Sequence, residues 1–156
     1  MNPCLPYAWQ QKAETVSIFP QKDKKINLLG FFQVDNTAII YQTSANVTSA
    51  FIIDSINDFC QYVVKPTVVV VDNAPTHTSE LVMAQLEKWQ QKDLFVFFLP
   101  PYSPHLNKAE TYWRKLKYEW LKAEDYLDFQ RFKHKINDIL AHIGTHYTIN
   151  FKEHIL

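Results

Sequence analysis

The sequence predicts an α/β domain with a mixed sheet, in which an antiparallel hairpin accompanies parallel strands and helices pack around them. Three observations predict it: a hairpin pattern in the first third, two apolar runs separated by a helical pattern, and two amphipathic segments near the end. The chain has 156 residues, of which 47% are hydrophobic and 15% aromatic, so a real core is possible and disorder is not expected. We therefore expect one domain over residues 1–156.

The first elements are a predicted hairpin and a predicted helix. Strand patterns at 25–32 and 37–41 flank a polar turn at 34–36, which is typical of a β-hairpin. Thr48 is a predicted N-cap, and apolar residues recur behind it at helical spacing: Phe51, Ile52, Ile56, Phe59 and Val63. Residues 15–19 predict a further short strand that ends before Pro20.

Two apolar runs, at 67–71 and 94–99, flank a predicted helix at 79–91 whose inward residues are Val82, Leu86 and Trp89. The first run is unbroken, so we expect a strand that is buried on both faces, as in the middle of a parallel sheet. A strand, a helix and a second strand within about 30 residues are typical of a βαβ crossover.

Two amphipathic helices are predicted after the second strand. The helix at 108–121 has an apolar face of Ala109, Tyr112, Trp113, Leu116 and Trp120. The helix at 129–143 has an inward face of Phe132, Ile136, Ile139 and Leu140. A hairpin followed by parallel strands and packed helices indicates a mixed α/β architecture of the ribonuclease H-like type.

Composition excludes several functional classes. Two glycines exclude a glycine-rich phosphate loop, and no apolar run approaches the roughly 20 residues of a membrane span, so we expect no membrane partner. Two cysteines, with no ligand partner at zinc-like spacing, fit a reduced intracellular chain without a zinc site. The net charge is +0, which argues mildly against a dedicated nucleic-acid-binding module. The segment from residue 99 to residue 122, however, contains five basic and two acidic residues, so it carries a local excess of positive charge.

Asp72 follows the first apolar run and therefore stands at the carboxyl end of a predicted strand. Ligands of open α/β sheets bind at that edge, and a carboxylate there can hold Mg²⁺. Asp72 can equally cap the following turn, with Asn73 as a turn residue. His77 can orient a water or a phosphate, or contribute to capping the next helix alongside Thr78.

Glu110 lies in the first turn of the helix predicted at 108–121, on the side away from the tryptophan stripe. Arg114 follows four residues later, so an ordinary surface ion pair is one interpretation. The preceding proline-rich segment at 99–104 is stiff and would fix how the helix approaches the sheet edge. A rigidly presented acid beside Asp72 would instead build a divalent metal site.

Two segments resemble motifs of a known family. Residues 71–79, VDNAPTHTS, look like the second-aspartate motif of mariner-superfamily transposases and their bacterial insertion-sequence relatives. Residues 99–113, LPPYSPHLNKAETYW, are similar to the third-acid signature of that family, and this long match is the more specific one. Weaker similarity around residues 7–9 and 25–32 extends the resemblance from about residue 7 to about residue 122.

The resemblance implies a ribonuclease H-like catalytic domain that uses Mg²⁺ or Mn²⁺ to cleave and join DNA at transposon ends and target sites. Asp72 and Glu110 would be the second and third catalytic, metal-binding acids. Four further positions would shape the site: Asn73, His77, Tyr102 and Asn107. Four cations would contact DNA: Arg114, Lys115, Lys117 and Lys122. The expected location is the bacterial cytoplasm, in association with the nucleoid.

The sequence departs from the family pattern at its front. The first acid is expected just before a Tyr-x-Trp segment, which here begins at Tyr7, and no acid precedes Glu14. Asp35 falls in a predicted turn, and two other acids, Asp54 and Asp58, fall on a predicted helix. We therefore expect a partial domain, truncated at the amino terminus, without a helix-turn-helix domain and inactive alone. Lys108 also replaces the family's usual proline.

Two other functions stay open, a non-catalytic DNA-binding or assembly module and another ribonuclease H-like nuclease. The absent first strand would leave unpaired backbone groups beside the hairpin. A homodimer is one way to cover them, and we predict one.

Overall fold

The computed structural model describes residues 24–101 and 103–151, apart from the side chain of Pro104. The main elements follow in the order β1 (Asn27–Phe32), β2 (Ala38–Thr43), α1 (Ser49–Phe59), β3 (Thr67–Val71), α2 (Glu80–Met83), α3 (Leu86–Gln90), β4 (Leu94–Phe98), α4 (Lys108–Lys115) and α5 (Phe129–Ala141). A π-helical turn, Leu116–Trp120, extends α4. The strand predicted at 15–19 and the Tyr-x-Trp segment lie outside the described residues.

The chain forms two compact units. The first contains residues 27–31 and 39–110. Within the described residues, the second contains 24–26, 32–38 and 111–151. The boundary crosses the hairpin and α4, so neither unit is a continuous stretch of chain.

The strands form an antiparallel hairpin, β1–β2, and a parallel pair, β3–β4. In the described part of the chain these are two separate two-stranded sheets. Thr67 pairs with Leu94 and Val71 with Phe98, so β3 and β4 end at the same level. The predicted mixed α/β class, the hairpin and the strand–helix–strand crossover are confirmed.

The core of the first unit lies between α1, the crossover helices and one face of β3–β4. Its buried side chains are Ile52, Ile56, Cys60, Val69, Val82, Trp89 and Leu94. Thr48 is the N-cap of α1, because its Oγ1 accepts a hydrogen bond from the Phe51 amide at 3.3 Å. The indole of Trp89 is buried and donates to Asn57 Oδ1 at 2.9 Å, so its only polar group is satisfied.

The prediction that β3 is buried on both faces is wrong. Val69 is buried, but Val68 and Val70 are 62% and 48% exposed. The neighbouring Phe95 and Phe97 on β4 are exposed as well. Successive side chains of a strand point to opposite faces, and α1 and α3 cover only one of them. An apolar run alone does not tell whether a second layer is present.

The helix predicted at 79–91 is also not continuous. Its two parts, α2 and α3, are separated at Ala84 and Gln85. The Gln85 amide bonds to the Val82 carbonyl three residues back at 2.9 Å, which tightens the turn. The predicted inward positions are nevertheless correct, since Val82 and Trp89 are buried and Leu86 packs against the same core.

The second unit is organised around Tyr112, which is buried and stacks on Phe32 with ring centroids 4.0 Å apart. The Tyr112 hydroxyl donates to Asn36 Oδ1 at 3.1 Å, and the Ile149 amide donates to the same oxygen at 2.6 Å. Burial raises the pKa of Tyr112 to about 12, so the phenol stays a donor at neutral pH. The hairpin turn and the carboxyl-terminal segment are thereby tied together.

The two helices predicted for the second half are confirmed as α4 with its π-helical turn and as α5, although α5 ends at Ala141. Asp35 lies in the hairpin turn and Asp54 and Asp58 lie on α1, as predicted. Among the described residues, no helix has the length and apolar character needed to cross a membrane.

Candidate active site

A cavity of about 440 Å³ lies beyond the carboxyl ends of β3 and β4, inside the first unit. Its walls come from the turn after β3, the proline-rich segment after β4 and the start of α4. The lining residues are Asp72, Asn73, Ala74, Leu99, Pro100, Pro101, Ser103, Asn107 and Glu110. The two predicted acids, separated by the whole crossover in sequence, therefore line one cavity.

Asp72 is anchored through one of its two carboxylate oxygens. Oδ1 accepts a hydrogen bond from the Ala74 amide at 3.1 Å and lies 2.7 Å from His77 Nδ1, within hydrogen-bond distance. Oδ2 accepts no hydrogen bond from the described residues, and the side chain is 45% exposed. Asp72 thus caps its turn, as the simpler interpretation expected, and still has an oxygen available to a ligand.

Asn73 holds the two strand ends together. Its side-chain amide donates to the Leu99 carbonyl, which follows β4. Asn73 is the second residue after β3 and Leu99 directly follows β4, so this bond fixes the turn after β3 against the start of the proline-rich segment. This contact gives a physical basis for the predicted site-shaping role of Asn73.

Glu110 is presented by the first turn of α4. Asn107 initiates the helix, because its Oδ1 accepts from the Ala109 amide and its carbonyl accepts from the Glu110 amide, both at 3.1 Å. The Glu110 side chain is exposed and takes part in no ion pair within the described chain. The structure therefore does not contain the Glu110–Arg114 surface pair that the sequence left open.

The polar donor set of the cavity suits a hard divalent cation. Asp72 Oδ2 and the Glu110 carboxylate are negatively charged oxygens, and Asn107 adds an amide. Mg²⁺ prefers oxygen ligands and commonly uses one or two carboxylates, completing its shell with water or substrate. No group of three or more His, Cys, Asp or Glu side chains is arranged for metal binding in the described chain, so the cavity offers a cation two carboxylates and not three.

His77 contacts Asp72 and is not among the residues that line the cavity. Its side chain is 20% exposed, and its ring contacts Asp72 through Nδ1. The N-cap of α2 is Ser79, so the ring does not cap that helix. The position of His77 in the sequence predicts that it lies near the site but does not identify its partner, Asp72.

Ser103 lines the cavity and was not among the predicted site residues. Its hydroxyl donates to the Pro101 carbonyl at 3.4 Å, within the segment between β4 and α4. Its place inside the third-acid signature was the signal that could have indicated it. Tyr102, the neighbouring predicted site residue, lies outside the described residues.

The four predicted DNA-contacting cations belong to the second unit. Arg114 and Lys117 are exposed, and neither makes an ion pair with a described residue. Lys115 pairs with Glu119 at 2.6 Å, and Lys122 Nζ donates to the Glu119 carbonyl at 2.8 Å. Of the four cations, Arg114 and Lys117 are therefore the ones whose charged group is held neither by a described acidic side chain nor by a described backbone carbonyl.

The chain matches a known protein family. Residues 1–133 match the sequence profile of a family described as DDE superfamily endonuclease. The match covers both motifs and all the lining residues of the cavity. No curated protein sequence matches the chain.

Proposed function

Because the chain belongs to the DDE superfamily of endonucleases, we propose that it is a catalytic domain of a DNA transposase of the mariner and insertion-sequence type. The observation that supports this most is the meeting of Asp72 and Glu110 in one cavity at the carboxyl ends of β3 and β4. The proposed fold is ribonuclease H-like, and the proposed reaction is cleavage and transfer of DNA strands. Its setting would be the bacterial cytoplasm, beside the nucleoid.

Members of this superfamily generally depend on divalent metal ions. We propose that Asp72 and Glu110 hold Mg²⁺ or Mn²⁺ as the second and third acids. Such ions, when bound, activate a water or a 3′-hydroxyl for attack and stabilise the leaving oxygen. The protein's own contribution is positional: Asn73 fixes the strand ends, and Asn107 starts the helix that carries Glu110.

A metal titration tests this assignment. We expect Mg²⁺ and Mn²⁺ to bind the chain in calorimetry, and we expect Asp72→Ala and Glu110→Ala each to abolish that binding, because each removes one of two charged ligands. Glu87→Ala is a matched control, since Glu87 is an exposed acid on α3 and outside the cavity. Binding that survives in both site variants would show that the cavity is not the metal site.

The same proposal predicts that this chain binds DNA without cutting it. Under the proposed assignment, the chain supplies two acids of a family pattern that has three, and loss of a metal ligand costs orders of magnitude in rate. Arg114 and Lys117 are expected to contact phosphates, so plasmid affinity should fall steeply between about 50 and 200 mM salt. Nicking by this chain with Mg²⁺, abolished in Asp72→Ala, would contradict the expected inactivity, and salt-independent binding would contradict the phosphate contacts.

A further inference from the structure

We propose that His77 is a positioning residue for Asp72, holding the carboxylate so that Oδ2 is directed to the metal ligand position. The proposal rests on the assignment of Asp72 as a metal ligand and adds a residue that acts through it. The observation is the short contact of 2.7 Å between His77 Nδ1 and Asp72 Oδ1.

The two carboxylate oxygens of Asp72 differ in their hydrogen bonding. Oδ1 already accepts from the Ala74 amide at 3.1 Å, so with His77 it has two donors. Oδ2 receives none from the described residues. An ionised carboxylate is only an acceptor, which requires that His77 Nδ1 carries the hydrogen. Rotation of the carboxylate would break both bonds at once, so the two donors together fix its orientation.

The ring is not needed to build the local turn. The backbone amides of His77 and Thr78 both bond to the Ala74 carbonyl, at 2.8 and 3.2 Å. Helix α2 begins behind Ser79, whose hydroxyl donates to Ser49 Oγ at 2.8 Å. The turn therefore closes through the backbone and through Ser79, and the described contact of the imidazole is the one with Asp72.

Groups that hold a metal ligand in orientation typically change metal affinity by about 10–100-fold when they are removed. Replacing His77 with asparagine or with glutamine separates the role of the Nδ1 donor from that of side-chain volume. The side-chain nitrogen of asparagine can reach the place of Nδ1, whereas that of glutamine corresponds to Nε2. We therefore expect His77→Asn to keep the donor to Asp72 Oδ1 and His77→Gln to lose it.

The first experiment is Mn²⁺ and Mg²⁺ titration of the full chain and its variants. We expect His77→Gln to lower affinity about 10–100-fold and His77→Asn to stay within about threefold of the parent, with equal thermal midpoints for the two. His142→Gln is the matched control, because His142 Nδ1 contacts Asp138 Oδ1 at 3.1 Å in the second unit. Equal affinities of the His77→Gln variant and the parent would overturn the proposal, and so would equal losses in both His77 variants.

A second measurement tests, without metal, the hydrogen bond on which the proposal rests. Nitrogen-15 NMR of the metal-free chain should show His77 with hydrogen on Nδ1, because that nitrogen must donate to Asp72. A ring with an unprotonated Nδ1 would overturn the proposal. If the parent chain binds no metal at all, the two-acid site fails as the proposed function and the positioning role fails with it, while the state of Nδ1 still shows whether His77 donates to Asp72.

Discussion

At the scale of single residues, Asp72 combines a turn cap with an oxygen that is open to a metal ion, two roles that the sequence presented as alternatives. A turn cap and a metal ligand compete for the same residue only if they use the same oxygen. Here Oδ1 accepts from Ala74 and His77, while Oδ2 is not engaged by a described residue. Capping therefore does not weigh against a metal role, because the cap fixes the orientation of the free oxygen.

Gly144 is the residue for which backbone conformation gives the sharpest stability prediction. Its φ is +86°, and a Cβ there would lie 2.8 Å from the Asn36 carbonyl oxygen. We expect Gly144→Ala to lower the free energy of unfolding by at least about 1–2 kcal/mol, because left-handed backbone costs that much for an L-residue before any clash. Urea unfolding would measure it.

The control for this substitution is Thr148→Ala, at an exposed position nearby in the chain, which should change stability by less than about 0.5 kcal/mol. Equal urea midpoints for the two variants would show that the turn at Gly144 adapts. In that event the hairpin turn and the carboxyl-terminal segment would not be held as tightly as the bonds of Asn36 to Ile149 indicate.

At the scale of elements, periodicity and caps predicted the type and position of most helices and strands. The run at 67–71 is β3, and Thr48 and the helical spacing behind it give α1. The predicted burial of the second face of β3 was wrong, since Val68 and Val70 are as apolar as Val69 but are exposed. Burial of a strand depends on which layers cover it, and that is a property of distant segments.

The candidate site was also predictable only in part: its two acids could be predicted, and the contacts that hold them could not. Asp72 and Glu110 could be placed in one cavity from two motifs and the end positions of β3 and α4. The bond from Asn73 to Leu99 and the contact from His77 to Asp72 could not, because they depend on side-chain rotamers and on where two strands end relative to each other. Spacing along the chain carries no information on either.

At the scale of the whole molecule, two properties favour self-association. The net charge is +0, which removes long-range repulsion between copies near neutral pH. An apolar face is formed by Val68, Val70, Phe95 and Phe97, which are adjacent in the β3–β4 register and exposed. The predicted homodimer rested on unpaired strand edges, and this face gives a second copy of the chain an additional surface to cover.

Phe97 is the best position to test whether that face drives association, because its side chain is 56% exposed. We expect Phe97→Lys to lower the sedimentation coefficient at high protein concentration, since a charge in the apolar face opposes its burial between copies. Little loss of folding stability is expected at an exposed position. Gln90→Lys adds the same charge at an exposed site of α3 outside the face, and so separates net charge from local contact. If both variants dissociate equally, net charge and not the apolar face governs association. If neither variant changes and the parent sediments as a monomer at every concentration, the homodimer prediction is wrong.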